Sequence, residues 1–474
     1  MINGTLKESL SANGRTYKIT WLVFIVITPF VGAVFYFLFA NHKFTKREKA
    51  KFAPVIRELN RGMNSKLIAP FLAKVDENKD PDCFNISTYI KKYSHIDIFK
   101  NTASTYYPWG EDAFEPILDA LRSAKHYIFM EYFIICPGKF WDSIVNILFE
   151  KAKQGVDVRV VYDDLGCIST LSHKYYLFLR EHGIKCYKHA PIIPFLDVRM
   201  NNRDHRKILV VDGYIGFTGG INIADEYINE KVRFGKWKDN AIRFIGDGVF
   251  GLTCLFLATW ARLANKDSKD EINYVEYLPT RYYPDASKNK FNDGLIQPYG
   301  SVPYNYETLG ANVYLNLIYR AKKYLYISTP YLILNDEMQD AICQAAKNGV
   351  KVKLLTPHIP DKKLVFQMTR SFYAPLLEAG VEIYEFTPGF VHAKTFVVDG
   401  IMATVGTINL DYRSLFLHSE NGVFLYKNEC IKDIEKDFEN SFKVSMPYTL
   451  EMANKANFFV RIFRGLLRVV APLM

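Results

Sequence analysis

The stretch DHRKILVVDG, residues 204–213, returns as VHAKTFVVDG at residues 391–400. Each copy carries a histidine, a lysine two positions on, four mostly apolar residues, an aspartate and a glycine. Alternate side chains of an extended strand share a face, so the spacing predicts His205 beside Lys207 and His392 beside Lys394. An imidazole can attack phosphorus or carry protons near neutral pH, and an adjacent ammonium offsets charge on phosphate oxygens.

A second element follows each copy at matched spacing: Gly219, Gly220 and Asn222 in the first, Gly406, Thr407 and Asn409 in the second. Glycine lets an anion approach the backbone, and the asparagine amide adds a donor. One such match is a weak signal that a buried strand with a surface His and Lys would also give; two with the same Gly and Asn spacing are strong. Two half-sites with one histidine each supply the nucleophile and the general acid that a two-step phosphoryl displacement needs.

The flanks repeat as well. AKHYIFMEYFII (124–135) is answered by AKKYLYISTPYLIL (321–334), GVDVRVVYDD (155–164) by GVKVKLLTP (349–357), and EHGIKCYKHAP (181–191) by EAGVEIYEFTP (378–388). The alternation predicts strands separated by helices, in the same order at an offset of about 190 residues, far beyond a solenoid repeat. The fold expected is α/β: two duplicated halves with mainly parallel or mixed sheets, residues 106–280 and 281–450, packed face to face.

The chain has 474 residues, 49% of them hydrophobic, which excludes a disordered protein, and a net charge of +10, which points to an anionic partner. Seven cysteines stand singly and suit reduced, buried thiols. Ile19–Ala40 carries no charge over 22 residues and predicts a membrane-spanning helix within an N-terminal anchor, residues 1–50. Lys43, Lys46, Arg47, Lys49 and Lys51 follow it, against Lys7, Arg15 and Lys18 before it, which places the catalytic part on the cytoplasmic side. Residues 51–105 show no clear periodicity and read as a connecting region. In residues 451–474, Arg461, Arg464 and Arg468 form one stripe of an amphipathic helix suited to an anionic membrane surface, or to packing on the domain.

The pattern H-x-K-x4-D-x6-G-[GST]-x-N in two copies resembles the phospholipase D superfamily. RDHRKILVVDG with FTGGINIADEY, TPYLILNDE, and VHAKTFVVDG with GTINLDYRS are similar to its bacterial cardiolipin synthase branch. The resemblance implies an active site between the two halves, no cofactor and no metal. The implied reaction moves a phosphatidyl group from one phosphatidylglycerol to another, with release of glycerol and a covalent phosphohistidine. It casts His205 as nucleophile and His392 as general acid and base, with the reverse assignment open. Lys207, Lys394, Asn222 and Asn409, beside Gly220 and Thr407, would hold the phosphoryl oxygens, and Asp239 and Glu420 would orient the imidazoles. Asp212 and Asp399 complete the motif, but strand parity turns them from the histidine face, toward a supporting role for the opposite half. His418 stands where relatives often carry asparagine. No further His and carboxylate cluster with metal-ligand spacing is visible. The expected partners are phosphatidylglycerol, anionic lipids and the bilayer of a bacterial cell membrane, not nucleic acid, with an oligomer open. Competing readings are a phospholipase D, a phosphatidylserine-type synthase, a phosphodiesterase or nuclease, and a noncatalytic lipid-binding scaffold.

Overall fold

The computed structural model describes residues 15–39, 46–191, 202–264, 272–282, 291–303, 307–455 and 457–471. Lys7, Ala40 and Lys43 of the expected anchor lie outside them.

In the first half the strands are β1 (Thr102–Tyr107), β2 (Tyr127–Tyr132), β3 (Asp157–Asp163), β4 (Lys185–His189), β5 (Lys207–Val211), β6 (Ile215–Gly219), β7 (Lys236–Lys238) and β8 (Ala241–Gly246). The second half has β9 (Leu295–Ser301), β10 (Tyr324–Ser328), β11 (Lys351–Pro357), β12 (Glu382–Phe386), β13 (Gly389–Val391), β14 (Thr395–Val398), β15 (Met402–Gly406), β16 (Glu420–Tyr426) and β17 (Ser445–Tyr448). One sheet runs β1-β8-β6-β5-β2-β3-β4; the other runs β9-β16-β15-β14-β10-β11-β12 with β17 added at its end. The duplication is therefore one of topology. Both sheets are mixed. Within these two sheets only β2, β3 and β4, and their counterparts β10, β11 and β12, run parallel, because these are joined by helical crossovers; β7 and β13 form a separate parallel pair. The hairpin-linked strands that carry the repeated motif pair antiparallel, so antiparallel pairings outnumber parallel ones.

The inner faces of the two sheets share one core. Phe129, Ile208, Val210 and Phe244 of the first half lie in the same apolar cluster as Val397, Ala403, Val405 and Val423 of the second. The helices Val249–Ala264 and Cys430–Lys443 contribute Phe250, Phe256, Ile434 and Phe438 to it. Outer helices cover the other face of each sheet through separate clusters.

The region expected to be an irregular connection is largely ordered into both halves. Helix Lys46–Met63 buries Val55, Leu59 and Met63, helix Pro81–Ser94 buries Cys83, Ile86 and Ile90 against the second half, and β1 forms the edge of the first sheet. Its apolar residues recur every three to four positions between many lysines, which weakens the periodic signal.

The single span expected from Ile19 is not one helix. Helices α1 (Arg15–Ile27) and α2 (Pro29–Phe39) break at Thr28 and fold back on each other. Pro29 cannot continue the hydrogen-bond ladder, and Trp21 meets Tyr36 and Phe24 meets Phe35 edge to face at 5.5 and 6.2 Å. Among the described residues no helix is long and apolar enough to cross a membrane. The outer surface of the pair remains apolar, with Val26, Ile27 and Phe30 more than 70% exposed.

Helix α4 (Phe458–Val470) packs along helix α3 (Lys363–Ser371). Leu467 and Ala471 are buried, Arg464 donates to Gln367, and Arg468 donates to Gln339 at 2.8 Å. The Thr20 hydroxyl donates to the Val469 carbonyl at 2.6 Å, joining α1 to α4. Phe458, Phe459, Phe463 and Leu466 stay exposed, so α4 packs on the domain with one face and presents apolar side chains with the other.

Candidate active site

The two halves exchange short strand pairings where the motifs begin. Val391 pairs in parallel with Lys238, directly before His392 and Asp239; Asp204 bridges in parallel to Ser419, directly before His205 and Glu420. The backbone confirms the register, since His392 N–H donates to the Lys238 carbonyl at 2.7 Å and His205 N–H to the Ser419 carbonyl at 2.8 Å. Each histidine is thus set against a carboxylate of the opposite half. His205 Nδ1 lies 3.0 Å from both oxygens of Glu420, and His392 Nδ1 lies 2.6 Å from Asp239 Oδ2. Asn421 and Asn240, the residues after these acids, also reach across, to the Thr218 and Thr395 hydroxyls at 2.7 Å.

A carboxylate facing Nδ1 keeps the ring proton there and leaves the Nε2 lone pair toward the cleft. Lys394 Nζ also approaches His392 Nδ1, at 2.8 Å. One nitrogen cannot donate to Asp239 and accept from Lys394 at once; the charged acceptor takes the proton, and Lys394 is held by the His392 carbonyl. Lys207 likewise donates to the His205 carbonyl at 2.6 Å.

Both imidazoles line one cavity of about 480 Å³, with Asn222 and Asn409. Aromatic rings wall it: Phe133 stands edge-on to His205 at 5.0 Å and Tyr227 to His392 at 5.4 Å. Burial dominates the electrostatics. It lowers His205 to about 3 and His392 to about 4, and lowers Lys207 to about 7 and Lys394 to about 8, against the opposing pull of the two acids. Glu420 lies well below the ordinary carboxylate range, and Asp239 is lowered as well. Burial, the largest influence on each, pushes upward and is outweighed by the positive and hydrogen-bonding partners, led by His205 and His392 respectively.

These shifts fix how stability responds to acid. The unfolded chain takes up protons on these histidines near 6.5, whereas the folded protein resists until about 4 and 3. Their contribution is complete above pH 6.5 and is lost as pH falls from there through about 4 and then 3. Urea midpoints are expected to fall between pH 7 and 4.5, with a shallower slope when both histidines are alanine.

Several residues named by the motif act elsewhere than its pattern suggests. Asp212 and Asp399 do not line the cleft, and the backbone groups they hold belong to their own halves. Asp212 accepts the backbone N–H groups of Lys125, His126 and Tyr127 at 2.7–2.8 Å, and Asp399 those of Lys322, Lys323 and Tyr324 at 2.8 Å. Each fixes the start of the central strand of its own half. Asn222 spends its carbonyl on Ile134 N–H and one amide hydrogen on the Tyr227 hydroxyl, whereas Asn409 Oδ1 is buried without a hydrogen bond. The Thr407 hydroxyl donates to Glu420, not toward the cleft.

Gly220 sits where a Cβ would lie 2.0 Å from Asp239 Oδ1. Its missing side chain is the space that the shorter acid of the first half occupies. Gly220→Val is expected to displace Asp239, release His392 and cut turnover by about 100-fold, since misplacements of an ångström cost that much. Steady-state rates with a melting curve will separate this from unfolding. The aromatic wall and Asp361, Asp411, Arg233 and Arg413, which also line the cavity, stand outside the repeated motif. Arg233, Asp411 and Arg413 had only position as a sequence signal, between the Asn and the acid of each half, and Asp361 had none.

The description "Cardiolipin synthase, PLD-like domain" matches residues 117–232 and 314–442, and "Phospholipase_D-nuclease N-terminal" matches residues 6–41. An uncharacterized protein of Streptococcus mutans is 40% identical over 96% of this chain and 96% of its own length. Cardiolipin synthases of Halalkalibacterium halodurans and Staphylococcus aureus are 33% and 30% identical, covering 97% and 96% of this chain and 89% and 90% of theirs. The phosphatidylserine synthase structure of Haemophilus influenzae shares the fold with a TM-score of 0.60 at 15% identity, over 83% of this chain and all of that one. With paired motifs, matched halves and full-length relatives in agreement, the chain belongs to the phospholipase D-like cardiolipin synthase family and is a phospholipid phosphatidyltransferase.

Proposed function

We propose that the protein makes cardiolipin from two molecules of phosphatidylglycerol and releases glycerol. The observation that carries this reading is the pair of imidazoles on one cavity, each held by a carboxylate of the other half. His205 Nε2 attacks the phosphorus of the first lipid, and a covalent phosphatidyl-histidine forms as the bond to glycerol breaks. His392 gives the departing oxygen its proton, then takes the proton of the hydroxyl of the second phosphatidylglycerol as that oxygen displaces His205.

In the empty cleft both rings are neutral at pH 7, so the acid must gain its proton on substrate binding. A phosphodiester anion between them supplies the negative charge that raises an imidazole. Lys207 and Lys394 offset the charge that builds on the phosphoryl oxygens.

The protein works at a bacterial cell membrane, with its catalytic halves on the cytoplasmic side. The apolar outer faces of α1, α2 and α4 support the membrane location. Replacing Phe458, Phe459 and Leu466 by serine is expected to weaken binding to phosphatidylglycerol vesicles by about 100-fold or more, at about 1.5–3 kcal/mol per large apolar side chain. Co-sedimentation checks it.

The function itself is tested with detergent-purified protein and labelled phosphatidylglycerol, with glycerol, serine and water as competing acceptors and products read by mass spectrometry. Cardiolipin is the expected product. Phosphatidic acid or phosphatidylserine alone would move the reading to a phospholipase D or a phosphatidylserine-type synthase. Nucleotide release from single-stranded DNA without any new lipid would end it.

A further inference from the structure

Glu420 faces two imidazoles. Besides His205, His418 Nδ1 lies 3.6 Å from Glu420 Oε1 and, though buried, makes no hydrogen bond. The rings of His418 and His205 are 5.8 Å apart, and both line the cleft. The opposite half-site has no such group. Two residues before Asp239, where His418 stands before Glu420, is Trp237, whose ring lies 5.6 Å from His392 and offers no lone pair. The asymmetry therefore gives one half-site a third ligand-type side chain.

We propose that His205 Nδ1, His418 Nδ1 and one oxygen of Glu420 form an inhibitory site for a borderline-soft divalent cation such as Zn²⁺ or Co²⁺. One ligand atom from each of the three side chains already lies within 4.8 Å of the other two. Bonds of about 2.0–2.1 Å in a tetrahedral site place ligand atoms about 3.3–3.4 Å apart. The distances of 3.0 and 3.6 Å from the two imidazoles to Glu420 Oε1 bracket that separation, and rotation of the His418 ring would bring the two imidazoles to it. Two imidazoles and a carboxylate with a cleft water are a donor set that suits these ions, while Mg²⁺ and Ca²⁺ require more oxygens than the site holds. Thr407, which donates to the other carboxylate oxygen, would steady Glu420 from behind.

The site controls the reaction through the tautomer. A cation on Nδ1 moves the ring proton of His205 to Nε2, with none released, and Nε2 then has no lone pair for phosphorus. This inhibition rests on the proposed role of His205; binding of the ion does not.

The His392→Ala variant keeps all three ligands, so its titration with Co²⁺, followed by the visible absorption of four-coordinate cobalt, measures the site apart from turnover. One equivalent should bind, His418→Asn should weaken binding at least tenfold, and His418→Cys, which keeps a ligand atom, should restore it. In the wild-type protein Zn²⁺ should suppress lipid transfer reversibly with EDTA, and Mg²⁺ should not. Equal Co²⁺ binding with Asn at position 418 would overturn the site, as would Zn²⁺ inhibition without a cobalt band in His392→Ala. A cobalt band beside full turnover would leave the site standing and remove the role of His205.

Discussion

His205→Ala is expected to reduce phosphatidyl transfer by about 10⁴-fold or more, because in the proposed mechanism it deletes the atom that bonds to phosphorus. His392→Ala should cost about 10²–10⁴-fold, the range for a positioned acid or base. The two variants differ in what accumulates. With His392 absent, proton donation to glycerol is impaired but attack by His205 remains possible, and removal of the phosphatidyl group loses its base. Label from phosphatidylglycerol should therefore remain on His205 in His392→Ala after rapid quenching, while His205→Ala carries none. Label on His392 in the His205→Ala protein would reverse the two roles, and turnover above about 1% in the double variant would remove both from the chemistry. Neither change should unfold the protein, since the rings lie on the cavity wall and not within the shared core.

Much of this arrangement was legible before any coordinates. The repeated pattern shows the duplication because the same apolar strand segments recur in the same order, and that strand order reappears in both sheets. His205, Lys207, His392 and Lys394 were legible because their spacing has no structural cause that would write it twice. What resisted reading depended on long-range pairing. Nothing in KWKDN or LHSEN states which histidine each acid meets; that follows from Val391 seated beside Lys238 and Asp204 beside Ser419, contacts between distant parts of the chain. His418 joined His205 only through the same crossing, 213 residues away in sequence.

Charge and parity also misdirect where the backbone turns sharply. Asp212 and Asp399 take positive φ angles of 52° and 53° at the ends of their strands, so alternation no longer says where the side chain points. Their carboxylates bend back to cap three backbone donors of the neighbouring strand. At the N-terminus, a run of apolar residues long enough to span a bilayer folds into two short helices. Pro29 breaks the ladder, and Gly32 lets the helices touch: a Cβ there would lie 2.7 Å from the Ile25 Cα. Apolarity fixed that the segment avoids water, not its path.

The composite nature of the half-sites gives the second large effect. Glu420→Gln keeps the size of the side chain but replaces an obligate acceptor with an amide that can also donate. Glu420 holds His205 Nδ1 at 3.0 Å and receives the Thr407 hydroxyl, so its charge fixes the ring tautomer from the opposite half. An amide hydrogen turned to Nδ1 would favour the Nε2–H tautomer, which cannot attack. A loss of about 10³–10⁴-fold in the rate of phosphohistidine formation is expected, comparable to what the wrong tautomer costs in other imidazole-dependent sites. Asp239→Asn should act on His392 instead, and a larger effect on resolution of the intermediate than on its formation would mark that difference. Single-turnover measurements that follow labelled lipid onto and off the protein read both steps. If Glu420→Gln slows neither step by more than tenfold, the carboxylates are bystanders, and the pairing across the halves serves folding rather than catalysis.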